Sequence, residues 1–271
     1  MTMRKKLLAG VAIAAAIGTA ASPQASASLT TVTYDPSSTT PQLSTVANFD
    51  AASITGADFA QATIQNTGAF TEAGVLQLNN FYTASNVLLS SATTGLNSSY
   101  ELFLVFNATG KLTTNFTPSN PAGSSGVFYT VNYTLEGITG TTSAISPTAP
   151  FLLTPGGSVV TLATGGAVTG SSVGINGLGV PNAEALLTLT QAGTQFFFAP
   201  PAINLVDASF INTTGQSTLV TESSGVSTLT IINGGVTTDF TAVPAPEPAT
   251  LALLGTGLVV LGCARRRRTS V

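Results

Sequence analysis

Between Lys6 and Arg265 the chain has a single basic residue, Lys111. This scarcity constrains the fold more than any motif does. A surface helix sets a polar face, rich in Lys, Arg and Glu, against an apolar stripe. Here Thr, Ser, Gly, Asn, Val and Leu dominate instead, and β-branched residues suit a pleated, half-buried surface. The stretch "GVFYTVNYTLEG", 126–137, has the matching period of two. Val127, Tyr129, Val131, Tyr133 and Leu135 fall on one face, and Thr130, Asn132, Thr134 and Glu136 on the other.

Other stretches read the same way. "YELFLVFNATG" predicts a strand buried on both faces, ending in a turn at Asn107-Ala108-Thr109-Gly110. "TQFFFAPPAINLVDASFINTTG" predicts two strands broken at Pro200-Pro201, the second ending at Asn212–Gly215. "STLVTESSGVSTLTIINGG" predicts a hairpin turning at Ser223-Ser224-Gly225. The Pro- and Gly-rich runs 117–126 and 164–182 predict long loops. The expected fold class is all-β, a β-sandwich or jelly-roll-like exported domain spanning Ser28–Val243. A split near Pro147–Pro155 is the alternative.

The body holds ten acids and one base, a net charge of −9. That balance excludes nucleic acid as a partner. The chain has no His or Trp, and its one Cys, Cys263, lies in the terminal apolar run. Disulfides, Cys/His zinc sites and His-dependent nucleophilic catalysis are therefore excluded from the body. No phosphate loop, nucleophile elbow or calcium loop is present. The sequence offers no catalytic residue, no metal ligand set and no cofactor site. Asp50 and Asp58 are close enough in sequence to share a site, but the scattered acids read mainly as solvated surface groups. Phe196-Phe197-Phe198 reads as core, and the N-x-S/T triplets at Asn97, Asn107, Asn115, Asn132 and Asn212 read as chance matches.

Both ends carry addresses. "MTMRKK", the apolar run 7–21 and the small residues Ala25-Ser26-Ala27 form a secretory signal, 1–27, with signal-peptidase cleavage before Ser28. The expected partners there are signal peptidase and the general secretion machinery. At the other end, Pro244, Pro246 and Pro248 enforce an extended backbone. An uncharged run, 249–264, follows; as a helix it spans about 24 Å, somewhat less than the hydrocarbon core. Arg265, Arg266, Arg267 and Arg268 then act as a stop-transfer cluster that holds the tail in the inner membrane with the body outside. Cys263 reads as a small apolar residue of the span.

The stretch "VPAPEPATLALLGTGLVVLGCARRRR", 243–268, resembles the PEP-CTERM sorting signal of Gram-negative bacteria. The resemblance implies recognition by exosortase at or near Pro246-Glu247-Pro248. It implies removal of the tail and delivery to the cell surface or extracellular matrix. Ala245, between Pro244 and Pro246, is a small departure. Segments 48–86, 100–113 and 194–216 resemble the PEP-CTERM family associated with floc formation, which implies a non-enzymatic component associated with exopolysaccharide. The alternatives are a carbohydrate-binding module, which needs exposed aromatics, and a glycoside hydrolase, which needs two convergent carboxylates.

Overall fold

A computed structural model describes residues 30–242, apart from 167, 193–194, 200–202 and 212–216. The strands, in order, are β1 (Val32–Tyr34), β2 (Phe49–Ala51), β3 (Ser53–Ile64), β4 (Ala69–Tyr82), β5 (Tyr100–Thr114) and β6 (Ser125–Thr139). The short β7 (Ala144–Ile145) and β8 (Leu153–Thr154) precede β9 (Val159–Gly165), β10 (Val168–Ile175), β11 (Pro181–Leu187) and β12 (Thr190–Gln191). The last four are β13 (Phe197–Ala199), β14 (Ile203–Ile211), β15 (Ser217–Thr221) and β16 (Ser227–Ala242). The one described α-helix is a single turn, Ser91–Thr94, capped by the Ser90 hydroxyl. The protein is all-β, as its composition predicts.

The main sheet is antiparallel and curled. It runs β10-β11-β14-β16-β3-β4-β5-β6, and β10 then meets β6 at Val173↔Gly126 and Gly174↔Ser125. Two walls thus face each other across one core. Curling by closure leaves fewer unpaired edges for other chains to join. The other half of β6 pairs with β9, so the strands flanking Pro147–Pro155 belong to the same sheet. At the meeting of β6 and β10, a Cβ on Gly126 would fall on the Lys111 carbonyl oxygen. Gly126→Ala is expected to lower unfolding free energy by about 1–3 kcal/mol. Guanidinium denaturation checks this, and an unchanged midpoint counts against the close approach.

One end of the sheet is plugged by aromatics. Tyr34, fully buried, has ring centroids of Phe81 at 4.9 Å, Phe49 at 5.4 Å, Phe196 and Phe197 at 5.6 Å, and Phe240 at 6.1 Å. Phe196 and Phe197 are core, as expected; Phe198 points outward and is 57% exposed. On the outside, the β7–β8 hairpin covers Val75, Val105 and Phe103 with Ile145 and Leu153. Phe151 adds an edge contact to Phe59 at 6.1 Å.

Three local expectations are corrected. The alternation in 126–137 does not run unbroken. Thr109 pairs with Thr130 but Gly110 pairs with Phe128, so Tyr129 is an extra residue in a β-bulge. The bulge turns Phe128 into the core and leaves Val127 and Tyr129 exposed, while Val131, Tyr133 and Leu135 stay buried. No turn forms at 107–110, because the outward Asn107 and Thr109 find partners across the strand and β5 continues to Thr114. The glycine-rich run 164–182 is not a loop. It forms the end of β9, all of β10, a turn at Asn176–Val180 and the start of β11. Its small residues allow close strand pairing, and Val173 and Ile175 supply the apolar contacts.

The Ser223-Ser224-Gly225 turn is present, with Gly225 at φ 78° and its N–H donating to the Glu222 carbonyl. The 117–126 loop is present up to Ser124. Pro200-Pro201 and Asn212–Gly215 lie outside the described residues.

Candidate functional site

On β3, Asp58, Ala60, Ala62 and Ile64 point inward by alternation; on β4, Phe70, Glu72, Gly74 and Leu76 do so. The register sets Ala62 opposite Glu72, Ala60 opposite Gly74 and Asp58 opposite Leu76. The Ala60–Gly74 rung lies between the two acids along the strands. A chamber of about 50 Å³ is lined by Asp58, Glu72 and the rings of Phe70, Phe106 and Phe128, with Asn182 at its wall.

Asp58 is 3% exposed, and its Oδ1 has no hydrogen-bond partner. Burial, and secondarily the Glu72 carboxylate, hold its pKa well above the usual range. Burial likewise raises Glu72 to about 7. Lys111, the only base of the body, is not among the lining residues. Without a cation to favour ionisation, the chamber favours protonated acids.

At about 10–15 Å³ per water, the chamber holds a few waters. It is far below the roughly 300 Å³ at which small-molecule pockets begin. The acids therefore meet where a pyranose has no room. Among the described residues no group of three or more metal-ligating side chains converges.

The reading of the acids as surface groups is corrected for three of them. Asp58 and Glu72 face the chamber, and Glu101 is 6% exposed, accepting a hydrogen bond from the Ser143 N–H at 3.0 Å. Asp50 is exposed and accepts the Thr33 hydroxyl at 2.6 Å, so it shares no site with Asp58. The signal for Asp58 was present in the sequence. It stands in phase with Ala60, Ala62 and Ile64, on the face that must be buried.

The address residues lie outside the described residues: Ala25, Ala27 and Ser28 at the start, and Pro246, Glu247, Pro248 and Arg265–Arg268 at the end. What is described is where the body meets them. The Thr30 N–H donates to the Phe240 carbonyl at 3.0 Å. Both ends of the body therefore emerge side by side at the aromatic-plugged end of the sheet.

An all-β body with both ends together, followed by a proline-rich, apolar and arginine-ended tail, defines an exported domain addressed through its C-terminus. Residues 244–268 match the family model described as the PEP-CTERM protein-sorting motif, and the chain is a PEP-CTERM protein. The motif marks it as an exported chain, transiently anchored in the membrane and targeted to exosortase. Comparison with curated proteins and with solved structures finds no match.

Proposed function

We propose that the processed body, Ser28 to about Pro246, is a non-enzymatic structural component of the cell surface or extracellular matrix, associated with exopolysaccharide and with biofilm or floc formation. One observation carries this reading. The sorting motif at 244–268 follows a body whose convergent acids line only a water-sized chamber. The resemblance of 48–86, 100–113 and 194–216 to floc-associated proteins supports the same role. In this reading signal peptidase cuts before Ser28. Arg265–Arg268 stop transfer at the inner membrane, and exosortase acts at Pro246-Glu247-Pro248.

The test is intact mass of the protein from membrane and matrix fractions, beside Glu247→Ala. The native protein is expected in the matrix, starting at Ser28 and lacking the arginine tail. Glu247→Ala is expected to keep the tail and stay with the inner membrane. If both proteins keep the tail, Pro246-Glu247-Pro248 is only a linker and the matrix role loses its support.

A further inference from the structure

The outer face of the sheet carries a hydroxyl row that crosses five strands. Thr228 of β16 pairs with Thr63 of β3, Thr63 with Thr71 of β4, Thr71 with Thr109 of β5, and Thr109 with Thr130 of β6. The alternation places all five on the side opposite the core. A second row lies two residues along each strand. It runs Thr218, Thr230, Gln61, Ala73, Asn107 and Asn132. Thr71, Thr109, Thr130, Asn107, Asn132 and Thr218 are exposed, and Thr63, Thr228, Thr230 and Gln61 half-exposed.

The next row, Ile232, Phe59, Val75, Val105 and Thr134, is largely apolar. The β7–β8 hairpin and Phe151 cover part of it. That cover stops short of the two polar rows.

Adjacent members of a row are about 4.8 Å apart and the rows about 6.7 Å apart, so the first extends for about 19 Å. Thr side chains are stiff at χ1, and the Thr109 and Thr130 hydroxyls hold each other at 2.8 Å. Little side-chain entropy is left to lose on binding. The β-bulge adds an aromatic: Tyr129, 59% exposed, stands beside Thr130 at the end of the hydroxyl row.

Neither row contains a charged residue, although the body carries a net −9. An anionic polymer is repelled by that body, and the one cation beside the rows is Lys111, two residues past Thr109 on the same face. An uncharged polymer is not repelled. Hydroxyl and amide groups both donate and accept, as sugar hydroxyls do. Thr methyls and the Tyr129 ring offer apolar surface to the C–H faces of a pyranose. We infer that this face, from β16 to β6, binds an extended neutral polysaccharide laid along the threonine row. This rests on the reading of the body as a matrix component, and adds the surface and the class of polymer.

The test uses the full chain in mild detergent and cosedimentation with microcrystalline cellulose, with alginate-coated beads as the anionic comparison. The chain is expected to sediment with cellulose, indifferently to salt, and not with alginate. Thr71→Val/Thr109→Val keeps shape and strand preference but removes two hydroxyls, and is expected to weaken binding about tenfold or more. Tyr129→Ala, at an exposed position, is expected to weaken it severalfold with no loss of thermal stability. No sedimentation with cellulose, preference for alginate, or undiminished binding by correctly folded forms of both variants overturns the inference. Failure here with the protein still found processed in the matrix leaves the matrix role standing. Tail retention in the membrane fails that role instead.

Discussion

The double variant Asp58→Asn/Glu72→Gln is expected to be more stable than the native protein at pH 8, with a flatter dependence of stability on pH. Burial raises both carboxyls, Glu72 from 4.5 to about 7. Between these values the folded protein keeps a proton that the unfolded chain has released. The folded state thus binds more protons, and stability falls as pH rises through the window. It is highest below the unfolded values, and the Glu72 contribution levels off above about 7. Glu72 keeps some solvent contact, which screens part of the effect, so its share is on the order of 2 kcal/mol. Asp58 adds in the same direction. Amides fill the same space and cannot ionise. Urea unfolding from pH 4 to pH 8 reads the result. If the double variant keeps the native slope, the acids are not the source of the pH dependence.

Tyr34→Ala is expected to cost about 3–5 kcal/mol, the range for deleting a large buried aromatic. Five rings surround Tyr34, and collapse around the gap would have to move β1, β13 and β16 together. Tyr34→Phe is expected to do the opposite. The Tyr34 hydroxyl is buried without a hydrogen-bond partner, and removing it leaves the ring contacts intact. A gain of about 1 kcal/mol follows from the relieved desolvation. Thermal and guanidinium unfolding of the two variants should therefore move in opposite directions. Equal losses in both would mean that the hydroxyl has a partner in solution.

Much of the fold was legible because the alternation of strands is a local property. The buried run 100–106, the hairpin at Ser223–Gly225 and the inward Phe196-Phe197 all follow from side chains that must leave water. The errors share a different cause. A bulge is set by the partner strand, so nothing within 126–137 reveals that Tyr129 is the extra residue. Asn107-Ala108-Thr109-Gly110 has turn residues, yet the pairs Thr109–Thr130 and Asn107–Asn132 favour a continuous strand. Glycines in 164–182 look like loop until a second strand is available to pack closely on them.

From its sequence alone the chain's address and its class were determined. Both rest on short-range facts: a charge-poor body that favours strands, and linear motifs that sorting machinery reads as an ordered string. Only the tertiary structure decided which residues meet. It gathered Asp58 and Glu72 into one small chamber and parted Asp58 from Asp50. It also aligned five threonines from five strands into one row. Those outcomes depend on register, and register is fixed by pairings between residues as distant in sequence as Thr63 and Thr228.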